Sequence, residues 1–387
     1  MDWLTFAMAV AGGVANGTFP VFIKTPRVLT ANVHPVVFQM YKSVWVFIFG
    51  LICMAVRLAR GLPLAFTPWA TASAVAWIPS GLFTIVAVPM IGVGSAVLTT
   101  AAFGSSLSFL VFWLALNEKV KTHQVAGHEI VLAPWYMLGI LVGMAMLVAA
   151  HQCSIRAQKQ KAPDSPLLAD VSDEEREAAP DHAPRPTMAA SERRGERANE
   201  VAAARTSLKS PPTAGSSVAR LGLITLGYAS AATSGVFSCL QYGLITLGHR
   251  MSGVPNGAKD ERFDALGSWL LLFGASAVLC TLLAWALVAI HCRTNGRPAP
   301  SAQLRVMAIP GSCAGIFWSL ANLLTTLAVL RGGNAVTLAQ VNAAGLVTSG
   351  AWGLLWYREI RGWTAVAWVG AAAFTVGMSI LLGFEKA

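Results

Sequence analysis

Ten apolar runs separated by polar stretches organise the chain. They fall at about residues 3–23, 35–56, 69–90, 93–116 and 134–152, then at about 220–245, 267–291, 306–330, 334–356 and 363–384. Each approaches or exceeds the roughly 20 residues a helix needs to cross a hydrocarbon core. Helix is the expected conformation throughout, because lipid leaves an open strand edge unsatisfied and the alternation of barrel strands is missing. The pattern predicts an all-α, polytopic, multi-pass membrane protein of ten transmembrane helices whose outer surface meets the lipid bilayer.

A different kind of sequence separates runs five and six. Residues 154–219 hold ten of the 18 acids and ten of the 28 Lys and Arg, with Pro163, Pro166, Pro180, Pro184, Pro186, Pro211 and Pro212 among them. A stretch so polar cannot bury a core and is expected to be a disordered linker. The chain therefore divides into a first five-helix repeat (1–153), a linker (154–219) and a second five-helix repeat (220–387). Ser165 and Ser210 precede prolines and Ser172 precedes an acidic run, so regulation by phosphorylation and a plain solvated tether both stand open.

The two helical segments are related. A shift of 241 positions places Trp77 on Trp318, Thr84 on Thr325, Gly92 on Gly333, Gly104 on Gly345 and Glu118 on Glu359, and a shift of 222 places Gly13-Val14 on Gly235-Val236. Five spans is an odd number, so the second half enters the membrane from the opposite face. Inverted repeats of this kind build carriers whose two faces open in turn.

Charge adds orientation and removes some classes. Only 12% of residues are charged, and mean hydropathy is +0.59. Outside the linker the bases sit mostly at the ends of apolar runs, where they orient a protein in its membrane, so nucleic acid is not an expected partner. Their distribution leans the linker to the cytosol and both termini to the other side. The six cysteines show no C-x-x-C spacing and read as small apolar packing residues; no metal site or cofactor is expected. Gly253-x-x-x-Gly257-x-Lys259 is too short for a phosphate loop and lacks the Ser or Thr after lysine, and no other enzyme motif appears. The chain is not expected to be an enzyme.

Several stretches resemble the drug/metabolite transporter superfamily, in particular its eukaryotic carbohydrate-transporter branch, near bacterial sugar-uptake proteins and plant ureide permeases. Asn16-Gly17-Thr18-Phe19-Pro20-Val21, followed by Lys24, is similar to that branch's G-S-x-F-x-P-V-K signature. Phe38-Gln39 with Ser43 and Trp45 is similar to its F-Q-W…S-x-x-W stretch. Gly315-x-x-Trp318, Trp352-Gly353 and Arg358-Glu359-Ile360-Arg361-Gly362 resemble its later motifs. The sequence departs from the pattern at Lys42, where a small or apolar residue is usual, and near Ala339-Gln340, where a proline is missing. The resemblance implies ten helices, a central cavity between the halves and a sugar or related polar metabolite as the small-molecule partner.

Candidate binding residues follow from polarity inside spans. Asn342, Gly345, Ser349, Trp352 and Trp356 share one face of the ninth span, with Gln340 nearby; the repeat brings Ala101, Gly104 and Ser108 to the matching face of the fourth, beside Thr100. Gly315, Trp318, Asn322 and Thr325 share a face of the eighth, echoed by Trp77, Gly81 and Thr84 in the third. An indole stacking on a pyranose, with amides taking its hydroxyls, suits a sugar site; helix–helix packing and interfacial anchoring are the alternatives. Asn16 and Gln39 join the candidates, and Gly17 and Pro20 are expected to break the first helix near Asn16 and expose its backbone to the cavity. Lys42 lies roughly 10 Å into the second span at about 1.5 Å per residue. It either faces the cavity, where it would suit an anionic solute, or snorkels to the interface. Glu118 and Glu359 sit at span ends as caps or ion-pair partners. With no carboxylate in mid-membrane, facilitated diffusion or exchange is expected rather than proton coupling.

The sequence thus predicts a secondary carrier of a carbohydrate or related small polar metabolite that works by alternating access. A nucleotide-sugar or sugar-phosphate exchanger is the nearest rival, and a non-transporting receptor or scaffold the alternative of another class. A homodimer is compatible with either class.

Overall fold

The computed structural model of the chain describes residues 1–22, 25, 28, 30–31, 33–91, 93–125, 127–161, 215–253, 260–357 and 360–386. Its elements are almost all helical: α1 (Trp3–Thr18), a 3-10 turn (Phe19–Phe22), α2 (Pro35–Ala59), α3 (Pro68–Ile91), α4 (Val93–Leu110) ending in a π turn (Val111–Ala115), α5 (Ala133–Lys161), α6 (Gly215–Met251), α7 (Ser268–Thr294), α8 (Leu304–Gly332), α9 (Asn334–Leu355) and α10 (Trp363–Phe384). A short antiparallel hairpin, β1 (His123–Val125) and β2 (His128–Ile130), lies between α4 and α5. Among the described residues, nine helices are long and apolar enough to cross a membrane: all but α9. That is compatible with a multi-pass membrane protein.

The outward faces fit the same environment. Leu279, Leu283, Leu287 and Ile290 form an exposed stripe on α7, each more than half accessible, which water would penalise and lipid does not. Helix α9 differs because it is interior. It carries Asn334, Gln340 and Asn342, and the unbroken run Asn334–Val341 is buried. Its packing partners include α1, α4, α8 and α10.

The chain forms two compact units by internal packing, residues 1–155 with 226–387, and residues 156–225. In the first, helices from both halves of the sequence interleave: α1 packs on α8 and α9, and α2 on α7 and α8. Close approach is set by glycine. A side chain at Gly13 would stand 2.5 Å from both the Ala344 Cβ and the Val341 carbonyl oxygen, and one at Gly17 would overlap the Gly345 carbonyl. In the second unit, helix continues beyond the expected linker boundaries, through Lys161 in α5 and from Gly215 in α6. Residues 162–214, including Ser165, Ser172 and Ser210, lie outside the described residues, as do Arg358 and Glu359.

The expected break in the first helix is displaced. α1 stays α-helical through Asn16 and Gly17 and tightens to 3-10 only at Phe19, one residue before Pro20. Gly17 is there for contact with α9 rather than for bending.

One end of the bundle, where Met1 lies, is laced by polar contacts between the two sequence halves. Arg57 pairs with Glu261 and Asp264, and also donates to the Pro63 carbonyl. Glu118 accepts from the backbone N–H groups of Asn334 and Ala335, both at 3.1 Å, and so caps α9, with Lys386 at 3.8 Å and Arg250 at 4.0 Å. This is the capping role expected of Glu118, but its basic neighbours are distant in sequence rather than adjacent.

Candidate functional site

A cavity of about 220 Å3 lies among α1, α2, α3, α4, α6, α8 and α9. That is room for a small solute rather than for a lone water. Its α1 and α2 residues are Asn16, Phe19 and Pro20 near the end of one helix and Phe38 and Lys42 near the start of the next. Its α3 residues run from Trp77 to Val88, toward that helix's C-terminus. The cavity therefore reaches from mid-bundle toward the end where α2 begins, the Pro35 end, away from the ion pairs at the Met1 end.

Eight of the expected binding residues line it: Asn16, Lys42, Trp77, Thr84, Thr100, Trp318, Thr325 and Asn342, with Gly17 and Pro20 beside them. The other three do not. Gln39 is fully buried behind Lys42 and accepts from its ammonium through Oε1 at 3.3 Å. Asn322 accepts from Gln241 at 2.9 Å, and Gln340 donates to the Ser379 carbonyl at 3.2 Å, so both amides serve helix contacts. Protein groups partner a buried amide as readily as a solute does, although Gln39 Nε2 and Gln340 Oε1 are left without a partner among the described residues.

Several lining groups are held by protein as well. Asn342 donates to the Ser105 hydroxyl at 2.7 Å and lies 3.5 Å from the Ala101 carbonyl. Thr84 meets the Ser234 hydroxyl at 2.6 Å, and Thr100 donates to the Ala231 carbonyl at 3.1 Å. Asn16 differs: among the described residues its side chain has no hydrogen bond, and it is only partly buried on the wall.

Two findings change the picture of the wall. Trp77 and Trp318 stack on each other, ring centroids 3.9 Å apart and planes 18° apart. One face of each indole is thereby occupied by its partner, so at most the opposite face of each is left for a sugar ring. The second concerns Lys42, which does not snorkel. It is only 4% exposed, with Nζ 4.9 Å from the Trp318 ring centroid and 5.2 Å from those of Trp77 and Phe19. Three aromatic rings and one amide surround the ammonium.

Sequence reasoning missed Phe19, Phe38, Ser80, Ser238, Gln241 and Tyr242 on the wall. Gln241 was findable, being an amide inside an apolar run. Phe19 and Phe38 stand inside the motif stretches quoted above, but nothing in those stretches aims them at a wall, since aromatics face lipid as often as a cavity. Among the described residues no three His, Cys, Asp or Glu side chains gather as a metal cradle.

No family model matches the sequence, and no curated protein matches it. Among solved structures, one described only as "Crystal structure of protein" is similar over 96% of this chain and 98% of its own, at 14% identity and a TM-score of 0.47.

Proposed function

We propose that the chain is a secondary membrane carrier of the drug/metabolite transporter type, built as two inverted five-helix repeats, that moves a carbohydrate or related small polar metabolite by alternating access. α9 is its tenth span, less apolar than the rest because it lies inside the bundle.

One observation carries this reading: key helix contacts occur twice, with the halves exchanged. A side chain added at Gly345 would lie 3.3 Å from the Gly13 carbonyl oxygen, and one at Gly104 would lie 3.2 Å from that of Gly235. Gly12 abuts the Thr325 hydroxyl as Ser234 meets that of Thr84. Gly50 packs on the backbone of Leu270 and Leu271, and Gly274 on that of Val46 and Phe47, an offset of 224 positions in each case. Trp77 and Trp318, equivalent under the shift of 241, touch each other, as do Ala101 and Asn342. Equivalent positions meet where a two-fold axis passes. A two-fold axis beside the cavity would account for these contacts and suits alternate opening of two faces, which a scaffold would not need.

The direct test is uptake of radiolabelled hexoses, hexuronates, hexose phosphates and nucleotide-sugars into proteoliposomes containing the purified protein. Saturable uptake or exchange of one class supports the carrier. Uptake equal to that of protein-free vesicles across the whole panel would favour the receptor or scaffold alternative instead.

A further inference from the structure

The polar groups on the cavity wall differ in what is left for a solute to bind. Asn342, Thr84, Thr100 and Gln241 each have a protein hydrogen-bond partner. The ammonium of Lys42 has three donors, and among the described residues the one hydrogen bond it makes is to Gln39 at 3.3 Å. That is long for a bond to a charged group, which typically closes to about 2.7–2.9 Å when the partner is an anion. Its other near neighbours are the faces of Phe19, Trp77 and Trp318. Ring quadrupoles recover only part of the hydration a buried ammonium gives up, and none of the described lining residues is an Asp or Glu.

The charge is also one-sided. Carrying the α2 to α7 offset of 224 to Lys42 lands on Leu266, an exposed apolar residue just before α7. Among the described lining residues the cavity therefore holds one positive charge with no carboxylate beside it, donated by one half, at the edge of the aromatic pair. A neutral polyol would leave it uncompensated. An oxyanion would supply both the counter-charge and acceptors for the remaining N–H directions.

We propose that the solute of this carrier bears an oxyanion, a carboxylate or a phosphate, that docks on Lys42, while its uncharged part lies against Phe19 and within reach of the Asn16 amide. This rests on the carrier reading above and narrows its substrate to acidic or phosphorylated polar metabolites. A monoanion neutralises the loaded site, whereas the empty site would have to cross the membrane carrying its positive charge. Counter-exchange of one anion for another is accordingly favoured over net uptake.

The test is equilibrium binding to the purified full chain, with a hexose, the matching hexuronate and the matching hexose 6-phosphate competing for one labelled member of the set, alongside exchange in proteoliposomes. At least one oxyanion solute should bind at least tenfold more tightly than the hexose. Lys42→Gln should erase that preference, and Lys42→Arg should retain part of it. The uronate and phosphate arms identify which oxyanion is used. A wild-type protein that binds the hexose as tightly as both anions overturns the inference, and this comparison holds even if Lys42→Gln does not fold. Hexose transport without anion preference would sink the oxyanion and leave the carrier standing. Anion binding that depends on Lys42 without any transport would do the reverse.

Discussion

The Nζ of Lys42 stands 4.9 Å from the centre of the Trp318 ring, and Trp318 is stacked at 3.9 Å on Trp77. A cation, one indole from each sequence half and the cavity thus form a single contact chain. Lys42 comes from α2, Trp77 from α3 and Trp318 from α8, so no local stretch of sequence contains the arrangement.

The stacked pair should behave as one energetic unit. Trp77 and Trp318 are 2% and 6% exposed, and truncating either to Ala should cost about 3–5 kcal/mol, the usual loss for a buried Trp. The double variant should cost less than the sum of the two by about 0.5–1.5 kcal/mol, the part owed to ring–ring contact. Thermal unfolding of the detergent-solubilised single and double variants measures this coupling. Strict additivity would mean that the two rings do not stack in solution.

Glycines at helix crossings should separate sharply from glycines facing outward. Gly17→Ala and Gly235→Ala each put a methyl against backbone, of Gly345 and of Thr100 and Gly104 respectively. Overpacking of this kind costs about 1–3 kcal/mol. Gly370→Ala and Gly377→Ala meet nothing within 4 Å and remove a flexible residue from α10, so they should be neutral or slightly stabilising. Monodispersity and melting temperature of the four variants decide it. Equal losses in all four would show that glycine acts through helix propensity alone and not through contact.

How far these features could be read beforehand depends on the kind of signal involved. Helix existence followed from unbroken apolar length, and α7, α8 and α10 run within about two to three residues of the expected spans. Facing was harder, because lipid and core are equally apolar. Leu279 and Leu283 point outward while Leu270 and Phe273 on the same helix are buried, and no amphipathic stripe distinguishes them. On α9 the polar series Asn342, Gly345 and Ser349 lines the cavity, but Trp356 at the end of that series is 70% exposed. Gln39, Asn322 and Gln340 lie off the cavity wall, and sequence alone could not show that. An amide in a span announces that it needs partners without saying whether solute or protein provides them.

Glu118 should matter for stability rather than for solute. Its carboxylate is nearly buried and accepts from two N–H groups at the start of α9. Glu118→Ala strands both donors and should lower stability by about 1–2 kcal/mol, a typical capping loss. Glu118→Gln keeps one acceptor and should cost less. Unfolding measurements on both variants, with solute affinity as the control, test the assignment. A large affinity loss with unchanged melting temperature would move Glu118 into the binding machinery.

The last prediction concerns which end is open. Asn16 lies on the cavity wall near the Pro35 end, while Arg57 joins α2 to Glu261 and Asp264 at the Met1 end. In a background without native cysteines, Asn16→Cys should react with a membrane-impermeant thiol reagent applied to the Pro35 side and resist it from the Met1 side. Arg57→Gln removes the charge that ties α2 to the segment before α7, while both carboxylates remain partly hydrated, so the cost of stranding them is modest. The Met1 end then loses one of its contacts between the sequence halves, and the population is expected to shift toward opening at the Met1 side. A change of about 1–2 kcal/mol in that balance is roughly a five- to thirtyfold change in the minor state, enough to see as new labelling from the Met1 side. Added solute should oppose labelling from either side by covering Asn16. Labelling of the parent protein equally from both sides would contradict a cavity open at one end. A Arg57→Gln variant that folds yet labels as its parent does would show that the ion pair fastens loops without gating the path.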